Sequence, residues 1–350
     1  MSTRVYVELG RRPDEPAPPP RGPSPAAIIG LVLGLLGIAS LFAIRALTPE
    51  LGLPSLPNTA QDLLTLSISV IIESLPFVIL GVVLSIVVQH WIPDRWISRA
   101  MPRNPWARRA MVSFLGMFLP VCECGNVPLA RGLVLRGFSV SESMTFLLAA
   151  PILNPVTIIT THQAFGFDDG ILVARLLGGF LIANLIGWVF SKHPAPESLL
   201  SSGFAAECAA GEPHGRGGRW NRSVTLFVRE MGVIMPALFI GSLIAGLVQV
   251  AVPRDVLVTL GSNPLWSILA MMALAFIISV CSNVDAFFIL PFASTFMPGS
   301  IATFLLFGPI IDIKMLALLR TTFTTAVLVR ITVLVALLSA GIGLAVNYVF

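Results

Sequence analysis

The amino-acid sequence predicts an all-α polytopic membrane protein: two inverted repeats of transmembrane helices, each with a broken re-entrant hairpin, plus one extra N-terminal helix. Three observations carry this prediction. Of 350 residues, 55% are apolar and only 11% charged, against roughly 25% charged in soluble domains, and the mean hydropathy is +0.88. Four blocks of sequence recur at one nearly constant offset. The arginines gather in particular connectors, which orders the crossings.

Residues 1–26 hold seven prolines and four arginines without apolar periodicity, the composition of a disordered tail. Residues 27–47 are a continuous apolar run, long enough to span a ~30 Å core and too long for a signal peptide. The first repeat, 63–190, opens with a span over 63–90 that contains Glu73 and Pro76. A basic loop over 91–109 follows, with Arg95, Arg99, Arg103, Arg108 and Arg109. Segment 110–138 contains Leu119-Pro120-Val121-Cys122-Glu123-Cys124-Gly125-Asn126-Val127-Pro128, and 144–161 and 171–190 are further apolar segments. Pro120 and Pro128 lack amide donors, so the backbone is expected to break on both sides of the thiols. In lipid, broken backbone survives only under protein or beside a water-filled cavity.

A polar, Gly-rich linker over 191–222 joins the halves and carries Lys192, Arg216, Arg219 and Arg222. Its Cys208 and His214 read as a stray thiol and a solvated imidazole rather than a metal site. The second repeat, 223–350, has apolar segments over 224–252, 266–296, 301–319 and 322–349, and the second of these contains Cys281-Ser282-Asn283-Val284-Asp285.

The self-match is specific. Pro76, Gly81 and Pro93 fall 160 residues before Pro236, Gly241 and Pro253, and Cys124-x-Asn126-Val127 matches Cys281-x-Asn283-Val284 at 157. Thr145-Phe146-Leu147-Leu148-x-x-Pro151-Ile152-x-Asn154 matches Thr303-Phe304-Leu305-Leu306-x-x-Pro309-Ile310-x-Asp312 at 158, and Arg175 matches Arg330 at 155. Four blocks within five residues of one offset mark a duplication.

The arginines of residues 4–21 put the N-terminus inside, and the Lys/Arg-free connector 48–62 lies outside. The basic stretches 91–109 and 191–222 are then both inside. Three apolar segments lie between them, so one does not cross. The broken 110–138 is that segment, with arms of about 11–12 residues, or ~17 Å of helix. Each repeat then crosses three times, the halves are related upside down, and Lys314 and Arg320 fall inside.

Cys122, Cys124 and Cys281 are the leading candidates for substrate contact. Thiolates are soft ligands for soft metals and trivalent metalloids; an intramembrane cysteine also serves as a small apolar residue. Asn126 and Asn283 either satisfy freed backbone groups or line the solute path. Asn154 and Asp312 stand at a second matched pair of breaks, and an ion pair with Lys314 is the simpler account of Asp312. Glu123 and Asp285 are carboxylates at membrane depth, where ionisable groups mark ion or proton paths. Arg175 and Arg330 either neutralise such carboxylates, the structural role expected of them, or attract an anionic substrate, while Glu73 and Glu230 are expected near the membrane ends.

Cys-Glu-Cys-Gly-x-x-Pro-x-Ala-Arg, Phe-Leu-Leu-Ala-Ala-Pro-Ile-x-Asn-Pro and Cys-Ser-x-x-Asp-Ala-Phe appear in that order. Together they resemble the bacterial predicted permeases that include the ArsP organoarsenical exporters and the YraQ-like proteins. The resemblance covers about residues 63–340. It implies a cytoplasmic-membrane permease and, through the ArsP branch, a role in binding trivalent organoarsenicals for Cys122, Cys124 and Cys281.

The expected function is secondary transport of a small solute, with efflux of a soft metalloid as the first substrate and a sulfur-containing anion or metal complex as the second. A thiol-redox or metal-delivery membrane subunit acting with a soluble partner is the alternative from a different class. Beyond substrate and bilayer, a homo-oligomer or an accessory subunit is compatible with the chain. The sequence holds no Walker A motif, no secreted disulfide framework and no basic face for nucleic acid. No enzyme activity, cofactor or resident metal is expected.

Overall fold

The computed structural model describes residues 25–50, 57–93, 101–102, 104–118, 121–167, 170–210, 219–251 and 264–349. The tail over 1–24, Arg95, Arg99, Arg103, Pro120, His214, Arg216 and Pro253 lie outside the described residues. Among the described residues there are fourteen α-helices, and the β-structure is one isolated Leu200–Phe323 bridge.

The first half contains α1 (Pro25–Glu50), α2 (Asn58–His90), α3 (Pro105–Ser113), α4 (Glu123–Leu135), α5 (Val140–Ala149), α6 (Pro155–Phe165) and α7 (Ile171–Ser191). The linker contributes α8 (Ser202–Ala210). The second half contains α9 (Arg219–Ala251), α10 (Pro264–Ile278), α11 (Asp285–Ile289), α12 (Pro298–Phe307), α13 (Ile313–Leu319) and α14 (Thr325–Val349). Helices α1, α2, α7, α9 and α14 are long and apolar enough to cross a membrane. Their outward faces carry leucines such as Leu33, Leu36, Leu181 and Leu337, each at least 60% exposed, as lipid contact requires.

Lipid removes the hydrophobic drive between helices, so close packing at small residues takes its place. Helix α1 lies on α9 in this way: a Cβ on Gly30 would stand 2.3 Å from the Gly232 carbonyl oxygen. Helix α2 packs against both α4 and α9, and so touches the two halves. At its middle a Cβ on Gly81 would stand 2.2 Å from the Gly125 carbonyl oxygen. That approach sets the start of α4 directly against α2.

The matched breaks expected at Asn154 and Asp312 are present: the apolar segments 144–161 and 301–319 are divided, into α5 and α6 and into α12 and α13. Pro155 has no N–H to continue a helix, and Asn154 accepts from the Val156 amide while Asp312 accepts from the Met315 amide, so each starts a new helix. Since these segments are not single helices, counting crossings does not by itself orient the halves. Pro128, expected to break the chain, lies inside α4; the break is before Cys122.

The linker is more than a polar connector. Leu199, Leu200 and Phe204 are buried in the core, the Ser201 amide donates to the Thr322 carbonyl, and α8 is drawn against the bundle.

Candidate functional site

Two interrupted backbones meet at the centre. In the first, the chain enters α4 through extended Cys122, and the Asn154 amide nitrogen takes the freed Val121 carbonyl at 2.9 Å. In the second, α10 stops at Ile278, whose carbonyl accepts from Gln249 on α9 at 2.9 Å. Ser279 follows with φ 52, left-handed backbone that non-glycine residues adopt at a cost. Side chains thus satisfy the carbonyls that broken helices leave open.

The breaks bring Cys122, Glu123 and Cys281 together. All are buried, and their ligand atoms lie within 4.8 Å of one another. Glu123 is the hub. Its Oε1 accepts from Lys314 Nζ at 3.1 Å, and its Oε2 accepts from the Ser282 amide at 3.2 Å and hydroxyl at 2.9 Å. The Cys281 thiol reaches Oε2 at 3.6 Å, and Cys124 Sγ stands 3.9 Å from Oε1 and 3.7 Å from Ser74 Oγ. Two half-chains therefore build one polar centre of thiols, a carboxylate and an ammonium.

The amides behave differently from one another. Asn126 is fully buried, and neither of its amide atoms has a hydrogen-bond partner among the described residues. Asn283 is half-buried, with its Oδ1 unpaired. Asn154 and Asp312 are engaged in helix starts, as above. Among the described residues the Lys314 ammonium pairs with Glu123 rather than with Asp312, and Asp312 Oδ2 has no hydrogen-bond partner.

Asp285, at the start of α11, is gripped by Arg175 through two hydrogen bonds of 2.9 and 2.5 Å. Arg175 also donates to Thr161 Oγ1 at 2.7 Å and to the Ser282 carbonyl at 3.4 Å, so it supports the second break as well as the carboxylate. The matched Arg330 does not share this role: it is exposed and makes no ion pair among the described residues. The helix face that carries Arg175 inward in α7 turns outward in α14.

A third charged cluster lies further along α4. Arg131 bonds Glu230 of α9 and Glu207 of α8, each at 2.9 Å, and the Thr321 carbonyl at 3.0 Å. Glu230, expected near a membrane end, is fully buried in this pair. Glu73, also expected near an end, occupies the middle of α2 and approaches Cys281. Among the described residues three ion pairs have both partners no more than 2% exposed: Arg131–Glu230, Arg175–Asp285 and Glu123–Lys314. Each joins the first half to the second. Lone buried charges are costly, so these pairs tie the halves together.

Sequence reasoning missed Lys314 and Ser282. The charge pattern places Lys314 on the inside, yet it is 1% exposed. The signal was present: a lone lysine in the apolar run Pro309-Ile310-Ile311-Asp312-Ile313-Lys314-Met315, where an ionisable group marks a site by default.

The family described as "Predicted permease", ArsP_1, matches residues 59–348. The UPF0718 protein YcgR of Bacillus subtilis is 34% identical over 287 residues, covering 78% of this chain and 93% of its own. A Streptococcus mutans protein is 31% identical over 277 residues, covering 77% and 90%, and is named as a candidate subunit of a two-component membrane permease complex. The UPF0718 protein YraQ of Escherichia coli is 25% identical over 168 residues, 46% of each chain. No solved structure matches. With its apolar helices and a match across most of its length, the chain is a multi-pass membrane protein belonging to the ArsP_1 family of predicted permeases.

Proposed function

We propose that the chain is a secondary transporter of the cytoplasmic membrane, N-terminus inside, that carries a small thiophilic solute between its two halves. The observation behind this is the convergence of Cys122 and Glu123 with Cys281, all buried, from opposite sides of the linker. Inverted repeats that meet at discontinuous helices near the midplane give alternating access. Here the repeats are 63–190 and 223–350, and the broken elements around Cys122 and Cys281 enter from opposite faces. Asn126 and Asn283 line the path, Asn154 and Asp312 hold its walls by starting helices, and Glu123 and Asp285 lie on the ion path.

Soft thiolates favour trivalent metalloids and soft metals, so efflux of a trivalent organoarsenical or related metalloid is one substrate class. A sulfur-containing anion or metal complex is the other. The name of the Streptococcus relative supports a second subunit as partner.

The test is uptake into inverted vesicles of trivalent methylarsenite, a panel of metal ions and sulfur oxyanions, with and without genes for neighbouring soluble proteins. A solute whose flux disappears in Cys122→Ser and Cys281→Ser is the expected result. Flux that persists unchanged in both variants removes the thiols from the path. No flux of any member, with the protein folded and any partner present, rejects the transporter.

A further inference from the structure

The centre is constructed to receive a negative charge, and the Glu123 carboxylate fills it. One oxygen takes the Lys314 ammonium at 3.1 Å; the other takes the Ser282 amide at 3.2 Å, the Ser282 hydroxyl at 2.9 Å and the Cys281 thiol at 3.6 Å. These four donors belong to the second half, and the Cys124 thiol of the first half adds a longer contact to Oε1 at 3.9 Å; the anion is on a side chain from the first half. The site is also at the first residue of the thirteen-residue α4, where free backbone amides favour negative charge.

Its capacity is not used up. An ammonium carries three N–H donors, and among the described residues Glu123 is the single hydrogen-bond acceptor for Lys314. Asn126 lies three residues beyond Glu123 on the same face of α4. It is 0% exposed, and both its amide nitrogen and its oxygen lack partners. Native interiors rarely leave such a group unpaired without a ligand or water to meet it. Arg175, by comparison, places four hydrogen bonds on Asp285, Thr161 and Ser282 and leaves only its Nε without a partner among the described residues.

We propose that this donor cluster is an anion site, that the Glu123 carboxylate is its resident occupant, and that the carried solute is a small anion that takes over Lys314 and Ser282 as the glutamate arm withdraws. This rests on the permease reading with its path through the centre. It also chooses between the substrate classes. An oxyanion bearing a soft sulfur uses both the ammonium and the thiols, whereas uncharged trivalent methylarsenite uses the thiols alone.

The probe is thiosulfate, and its binding to the full-length protein in lipid nanodiscs is measured by calorimetry. Glu123→Gln removes the competing charge and keeps the side-chain shape. It should bind thiosulfate roughly ten- to a hundredfold more tightly than the wild type, the worth of one charge-assisted hydrogen bond released to the ligand. Glu123→Gln/Lys314→Met removes the ion pair as a unit and, where gel filtration shows it folded, should lose that gain entirely. Thiosulfate should also raise the melting temperature of Glu123→Gln more than that of the wild type or the double variant. Binding by Glu123→Gln no tighter than wild type, or equal binding by the folded double variant, overturns the anion site.

Liposome flux separates this from the parent reading. Methylarsenite that crosses with wild type while thiosulfate neither binds nor crosses leaves the permease and rejects the anion. Thiosulfate that binds as expected while nothing crosses keeps the anion site and rejects the permease.

Discussion

Helix α4 carries two charged residues eight positions apart, about 12 Å along its axis, and both reach into the second half. At Arg131 every guanidinium nitrogen is used: Nε on Glu230, Nη2 on Glu207 and Nη1 on the Thr321 carbonyl, with the Phe204 ring 4.1 Å from its centre. At Glu123 the partners include two thiols and a lysine with donors to spare, and on the same face the Asn126 amide has no hydrogen-bond partner among the described residues. At one end the Arg131 guanidinium is a lock, saturated and covered by the linker, though Glu230 Oε1 has no hydrogen-bond partner among the described residues. The other end is polar and buried, with Lys314 and Asn126 unsaturated among the described residues. A cation with every donor engaged fixes its partners, while one with donors to spare keeps the capacity to exchange them. The same short helix thus holds the halves together at one end and offers them a ligand site at the other.

The largest effect should come from opening the lock. Arg131→Met leaves Glu230, 0% exposed, and Glu207 without their shared cation, and stranding a buried charge costs about 3–5 kcal/mol. Thermal unfolding in detergent should show a large drop, with much of the protein lost to aggregation in size-exclusion chromatography. Arg131→Lys should recover little, because a single ammonium cannot span three acceptors set for a planar fork. A drop equal to that of an exposed substitution such as Arg330→Met would end the contrast between the two ends of α4.

A smaller loss should follow from lifting α4 off α2. A Cβ on Gly81 meets the Gly125 carbonyl oxygen at 2.2 Å, and one on Gly125 meets the Phe77 carbonyl oxygen at 2.4 Å. Neither backbone can yield as a flexible side chain would, so Gly81→Ala should cost about 1–3 kcal/mol, the usual range for overpacking. The displacement bears on the open end, next to Cys124 and Glu123, rather than on Arg131. Thiosulfate binding and solute flux should therefore fall further in Gly81→Ala than its change in melting temperature would suggest. Equal losses of stability and binding would show that the open end is no more sensitive to placement than the rest.

Much of this was legible in the sequence because it rests on pattern. Five of the apolar runs of bilayer length are long helices, and Asn154-Pro155 and Asp312 mark where backbone is interrupted, although Pro128 does not. The Cys-Glu-Cys and Cys-Ser blocks, 157 residues apart, do meet. What stayed hidden depends on pairing across the two halves. The rule that places charges at loops and membrane ends misplaces Lys314 and Glu230, and a residue's own neighbours cannot reveal a partner 99 or 191 positions away. The repeat also misled at Arg330. Matching position does not preserve facing, and a helix whose register turns outward carries the same arginine away from any acid. The thiols were visible as chemistry, but their saturation, and the lack of it at Asn126, exists only in three dimensions.

The mildest probe is the linker thiol, which reports on the closed end without disturbing it. Cys208 follows Glu207 on α8, and burial first, then the neighbouring carboxylate, pushes its thiol from 9.0 up to about 11. Both causes oppose the thiolate, so below pH 9 the nucleophilic fraction should be about a hundredfold under that of a free cysteine. In a Cys122→Ser/Cys124→Ser/Cys281→Ser background, iodoacetamide should label Cys208 slowly at pH 8, and the rate should keep rising to about pH 11. The sign for docking follows: an undocked thiol ionises first, so α8 is held fully below pH 9.0 and loses hold as pH climbs toward about 11. Glu207→Gln should speed labelling and lower the midpoint, by removing the carboxylate and loosening Arg131. A wild-type midpoint at 9.0 would mean that the linker does not rest on Arg131, and that both ends of α4 are open.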